Sequence, residues 1–150
     1  MRIYLDSSAL LKRIFAEPDS PAAVSLLRSH VDAGDTLATS SSAWVEVSRV
    51  VLGRIAEGST RLDEVKTIGG EPIRSSSTDA LIEIALSGVL EKPMSPDVIA
   101  LARRLRPTVL RSLEPIHLSS ALLLDADRMV TYDQRLADAA GYHGIQVEAP

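Results

Sequence analysis

The stretch Ile3-Tyr4-Leu5-Asp6-Ser7-Ser8-Ala9-Leu10-Leu11 sets the reading of the chain. Three apolar residues stop abruptly at an acid and two serines, residue types that cap helices by accepting from free backbone N–H groups. Ala9, Leu10, Leu11, Ile14 and Phe15 then recur at helical spacing as far as Pro18. A short buried strand running straight into a helix is the unit from which parallel α/β sheets are built.

The same unit returns further along. Thr36 to Thr39 is a strand candidate, followed by Ser40-Ser41-Ser42 and a helix from Ala43 that carries Trp44, Val47, Val50, Val51 and Ile55 and stops at Gly58. Met129 to Tyr132 reads as a strand, Gln134 to Ala140 as a short helix and Ile145 to Val147 as a last strand. Between these units the periodicity predicts five more helices. One carries Val24, Leu26, Leu27 and Val31, and another spans Arg61 to Ile68 before Gly69-Gly70. The third runs from Asp79 to Leu86 after the polar Ser75 to Thr78, the fourth from Pro96 to Pro107, and the fifth from Ile116 to Ala126. No internal repeat or linker is visible, so residues 1–150 are expected to form one domain, a three-layer α/β/α sandwich with a mainly parallel central sheet.

Composition narrows the function. With 150 residues, 45% hydrophobic and 24% charged, the chain reads as an ordinary globular protein able to bury a core without staples. It has no cysteine, which removes disulfide scaffolds, cysteine zinc sites and thiol catalysis and points to a reducing, cytoplasmic compartment. No apolar run is long enough for a membrane span, and Met1 to Asp6 is too short for a secretory leader. Sixteen Lys+Arg against twenty Asp+Glu give a net charge of −4, which argues against a protein that coats nucleic acid.

Several chemistries lack their residues. Gly69-Gly70 has neither the spacing nor the lysine of a phosphate loop, and no serine sits in a glycine-flanked elbow. His30, His117 and His143 are too widely spaced for a local zinc motif. Four acids stand out instead. Asp6 and Asp133 each follow a predicted strand, at the sheet edge where α/β sites form. Glu46 borders the apolar stripe of its helix, and Glu114 precedes Pro115 at an expected helix start. Clustered, they would repel unless a hard divalent cation such as Mg²⁺ or Mn²⁺ lay between them. Each also has a structural reading: Asp6 and Asp133 as helix caps, Glu46 as a helix-surface acid, Glu114 as a loop acid. Spacing alone leaves both open.

A resemblance gives the direction. Ile3 to Leu10 resembles the opening motif of PIN-domain ribonucleases, specifically the VapC-like toxins of bacterial toxin–antitoxin pairs. Trp44-Val45-Glu46-Val47-Ser48-Arg49 is similar to the second motif, Leu110 to Ala121 to the third, and Val130-Thr131-Tyr132-Asp133-Gln134-Arg135-Leu136 to the fourth. The order is the family's, and the motifs span nearly the whole chain. One position departs: Glu114 stands where the family usually has Asp, reaching one methylene further.

The resemblance implies metal-dependent hydrolysis of RNA phosphodiesters, with Asp6, Glu46, Glu114 and Asp133 holding Mg²⁺ or Mn²⁺ and water as nucleophile, leaving 5′-phosphate and 3′-hydroxyl ends. Ser7, Arg13, Arg111 and Thr131 are the candidate substrate contacts, with Arg49 and Arg135 flanking the motifs; Thr131 also stands where it could orient Asp133. His117 is expected to serve in the core or behind the ligands, and Trp44 in packing. The implied partners are RNA, a cognate VapB-like antitoxin and a second copy of the chain. Leu10, Leu11, Ile14, Phe15, Val24 and Leu27 are candidates for an antitoxin groove, with core packing as the alternative for most of them. Two other readings compete. A catalytically weak PIN-like module that mainly binds a partner or RNA is kept open by Glu114. A phosphoacceptor receiver domain would need an acid beside Asp6 and a late lysine, yet Ser7 follows Asp6 and no lysine follows Lys92. Setting the four candidate acids aside leaves sixteen acids against sixteen bases, so the negative surplus is local.

Overall fold

The computed structural model describes residues 1–58, 78–111 and 113–150. Among these the elements run β1 (Arg2–Leu5), α1 (Ser7–Leu11), α2 (Ser20–Asp32), β2 (Thr36–Ser40), α3 (Ser41–Ala56), α4 (Thr78–Leu86), β3 (Leu90–Lys92), α5 (Pro96–Ala102), α6 (Glu114–Leu123), β4 (Arg128–Val130), α7 (Gln134–Tyr142) and β5 (Gln146–Glu148). The helix expected over Arg61 to Ile68 lies outside the described residues.

The sheet has the order β3-β2-β1-β4-β5, and every pairing is parallel. β1 is central, so Ile3, Tyr4 and Leu5 are wholly buried, as a strand covered on both faces requires. Alternation sends them to opposite sides. Ile3 and Leu5 join Val130 and residues of α1–α4 in one core; Tyr4 and Met129 join Leu118, Leu136 and Ala139 in the other. The three-layer arrangement follows from those two cores.

Several boundaries differ from the sequence reading for identifiable reasons. α1 ends at Leu11 because Arg13 and Ile14 donate to carbonyls three residues back, tightening the chain while Ile14 and Phe15 stay buried. α5 closes at Ala102, short of Pro107. β3 went unpredicted: it is a three-residue edge strand with Leu90 and Glu91 exposed, so it carries no apolar alternation. Trp44 does not pack as expected. The buried stripe of α3 is Ala43, Val47 and Val51, which leaves Trp44, Val45 and Leu52 exposed. Leu10, Ile14, Phe15 and Leu27 are buried in the core, the packing alternative, whereas Leu11 and Val24 are partly exposed. No helix among the described residues is long and apolar enough to cross a membrane.

Candidate active site

The strand order reverses between β1 and β4, the place where open α/β sheets form crevices at their carboxyl ends. Asp6 leaves β1 there as the N-cap of α1. Its Oδ1 accepts from the Ala9 amide at 2.9 Å and the Ser8 hydroxyl at 2.6 Å. Its Oδ2 accepts from Thr131 Oγ1, just beyond β4, at 2.6 Å. Burial pushes the Asp6 carboxyl above the usual carboxylate range, opposed by those donors and by the nearby His117. No Lys or Arg pairs with it among the described residues.

Asp133 caps α7 in the same manner, its Oδ1 accepting from the amides of Arg135 and Leu136 at 2.8 and 3.2 Å. For both aspartates the cap reading and the site reading hold together: capping fixes the carboxylate while it faces the crevice. Glu46 arrives from α3, half-buried. His117 of α6 lies against it, Nε2 to Oε2 at 3.1 Å, and the other ring nitrogen, Nδ1, meets the Tyr4 hydroxyl at 2.9 Å. Burial would raise the Glu46 carboxyl, but the hydrogen bond and charge of His117, with Ser7, bring it below its ordinary value. Burial also pushes the Tyr4 phenol well up, so it keeps its proton, and its hydroxyl against Nδ1 sets the ring with Nε2 toward Glu46.

Glu114 is not the N-cap of its helix; Leu113 is, with Glu114 first and Pro115 second. Its Oε2 accepts from the Arg111 amide at 2.9 Å and its Oε1 from Arg135 Nη2 at 2.6 Å. Arg135 Nη2 also lies 3.5 Å from Asp133 Oδ2. The four acids, with Ser7, Arg111 and His117, line one cavity of about 250 Å³. All four site acids therefore meet in space, although they come from positions 6, 46, 114 and 133.

Two candidates take different roles. Arg13 does not line the cavity; its guanidinium donates to the Ala85 and Ser87 carbonyls, where it caps α4. Thr131 is buried, donating to Asp6 and accepting from the Asp133 amide at 3.1 Å, so in this structure it ties the two acids together and does not line the cavity. His117 stands where the sequence reading put it, buried behind the acids, and lies against Glu46. Its spacing of three from Glu114 puts both on one face of α6.

The donor chemistry fits a hard cation: a buried carboxylate with no cationic partner opens on a cavity shared with three more acids. As the side chains stand, no three acids or histidines among the described residues converge on one point. Glu114 and Asp133 turn to Arg135, and Glu46 to His117, so loading the site competes with those contacts.

Comparison with known proteins agrees with the geometry. The family model described as PIN domain matches residues 3–142. The chain belongs to the PIN-domain family. Ribonuclease VapC46 of Mycobacterium tuberculosis is 35% identical to this PIN domain over 150 residues, covering 99% of this chain and 97% of that protein. Ribonuclease VapC47 from the same species is 30% identical, covering 99% and 96%. Among solved structures, VapBC2 from Rickettsia felis bound to a promoter DNA fragment superposes with a TM-score of 0.68 at 15% identity, covering 99% of this chain and 98% of that one. VapBC-1 from nontypeable Haemophilus influenzae gives 0.62 at 13%, covering 99% and 98%. These two likenesses speak for the PIN fold.

Proposed function

We propose that this PIN-domain chain is a toxin endoribonuclease that hydrolyses RNA phosphodiester bonds with Mg²⁺ or Mn²⁺ and is silenced by a VapB-like antitoxin. The observation that carries the reading is the convergence of Asp6, Glu46, Glu114 and Asp133 on one cavity at the switch point of the sheet. The ribonuclease names of its relatives support the reaction, and the VapBC names of its structural neighbours support the partner. The exposed apolar stripe Trp44, Val45 and Leu52 on α3 suits the expected second copy of the chain.

Asp6, Glu46 and Asp133 would hold the ion. Glu114 would join them only by giving up or sharing its ion pair with Arg135. When bound, the ion supplies a more acidic water as nucleophile and neutralises charge building on the phosphate. The protein's part is to fix the acids. Thr131, Ser8 and the Ala9 amide hold Asp6, and His117 with Ser7 holds Glu46. Arg111, exposed beside the cavity, meets the negative backbone of the RNA.

The test is incubation of the purified, antitoxin-free protein with cellular RNA and Mg²⁺ or Mn²⁺. Internal cuts leaving 5′-phosphate ends are expected, abolished by EDTA and by Asp6→Asn. RNA binding without cleavage under either metal would replace this reading with that of a binding module.

A further inference from the structure

Glu114 and Arg135 form a unit whose chemistry differs from that of the other acids. Both Glu114 oxygens are committed, one to the Arg111 amide and one to Arg135 Nη2. Arg135 is anchored twice, at 2.6 Å to Glu114 and 3.5 Å to Asp133, both of which line the cavity, yet its side chain is 45% exposed. Both anchors use the same nitrogen. Among the described residues, Nε and Nη1 of the side chain have no partner. The result is a guanidinium held at the cavity rim by one edge, with the rest of its fork open to solvent.

We propose that Arg135 binds a backbone phosphate of the RNA beside the cleaved bond, and that Glu114 is a positioning residue that holds the guanidinium there. This rests on the nuclease reading for the identity of the substrate. A planar fork matches two phosphate oxygens at once, and pre-anchoring one edge lowers the ordering cost of presenting it. The longer reach of glutamate suits this role: from the first residue of α6 it spans both the Arg111 amide and the α7 guanidinium. Aspartate at that position would be one methylene short of making both contacts.

The experiment compares the full chain with Arg135→Ala, Arg135→Lys, Glu114→Gln and the Arg135→Ala/Glu114→Gln pair. Two readouts are taken. One is anisotropy of a fluorescein-labelled single-stranded RNA in EDTA at low salt; the other is calorimetric titration with Mn²⁺. Arg135→Ala should weaken RNA binding about tenfold and lower the salt slope by about 0.7, the value for one phosphate contact on a single strand. Arg135→Lys should fall between, keeping the charge without the fork. Glu114→Gln should weaken RNA binding to a lesser degree and add little once Arg135 is gone, with Mn²⁺ affinity changed less than about threefold. RNA binding that Arg135→Ala leaves within twofold, or no RNA binding by the unmodified chain, overturns the phosphate contact. A tenfold loss of Mn²⁺ affinity in Glu114→Gln overturns the positioning role and makes Glu114 a ligand. If the unmodified chain neither binds Mn²⁺ nor cuts RNA, the nuclease reading fails, while the RNA comparison still decides Arg135.

Discussion

Thr131 Oγ1 donates to Asp6 Oδ2 at 2.6 Å across 125 residues of sequence, at the point where the strand order turns from β1 to β4. Among the described residues that hydroxyl is the one donor to Oδ2, while Oδ1 accepts from two. Thr131→Val keeps the shape and removes the donor. It also strands the Asp133 amide, which now bonds to Thr131. The expected cost is about 1–3 kcal/mol of stability from unmade buried hydrogen bonds. Cleavage should drop about 10–100-fold, the usual range for residues that orient ligands. Thr131→Ser should recover most of both. Thermal unfolding and initial cleavage rates check this; a stable but inactive Val variant would locate Thr131 on the substrate.

Asp6 itself predicts opposite effects on activity and stability. Its folded pKa is raised, chiefly by burial, so the folded state disfavours its ionised form. A raised carboxyl destabilises the fold above its folded pKa, and the penalty fades as the pH falls. Asp6→Asn should therefore abolish cleavage yet raise metal-free stability by about 1 kcal/mol near neutral pH. The gain should shrink toward acid. Melting curves in EDTA at neutral and acid pH decide it, and an Asn variant that is less stable at both would refute it.

Much of this site was legible because the two aspartates are also caps. A strand ending in Asp before a helical run names both its local geometry and its place at the sheet's carboxyl edge, so Asp6 and Asp133 could be read from pattern. Glu46 and Glu114 lie within a helix and at a helix start, where a carboxylate has no unique local role; only the family motifs tied them to the others. The fold was readable for a similar reason. Ile3, Leu5 and Val130 form runs bounded by polar caps, whereas β3 is an exposed edge whose pairing depends on β2 and leaves no trace in its own residues. His117 could be read only as a residue of the core or one behind the ligands, because Leu118, Ser119 and Ser120 beside it do not say which. Its value comes from Tyr4 and Glu46, both distant in sequence.

That three-residue chain yields a prediction about geometry. His117→Leu removes the donor that holds Glu46 and should lower cleavage about 10–100-fold. His117→Gln, whose amide can donate at a similar reach, should restore part of it. Tyr4→Phe should act in the same direction but more weakly, since it loosens the ring while leaving Nε2 beside the acid. Mn²⁺ affinity should follow the same order as the rates. Equal loss in the Leu and Gln variants, with Mn²⁺ binding unaltered, would show that His117 serves packing alone.

Away from the site, Lys12 ties the exit of α1 to the next helices. Its Nζ pairs with Glu17 Oε2 at 2.5 Å and Asp19 Oδ1 at 2.6 Å, and it lies 4.6 Å from the centre of the Tyr132 ring. Glu17 also accepts from Arg54 Nη2 at 2.6 Å, which fastens the end of α3 to the same loop. Lys12 and Arg54 together hold the Glu17 carboxyl below its ordinary range. A lowered carboxyl contributes stability above its unfolded pKa and loses it as the pH falls through the folded value. Glu17→Gln should therefore cost about 0.5–1 kcal/mol near neutral pH, the modest figure set by a side chain that is 31% exposed and screened by solvent. The cost should fall with added salt and disappear once acid protonates the native carboxyl. Melting of the two proteins at neutral pH, at high salt and in acid measures all three, and a gap that persists unchanged in acid would assign Glu17 a role that does not depend on its charge.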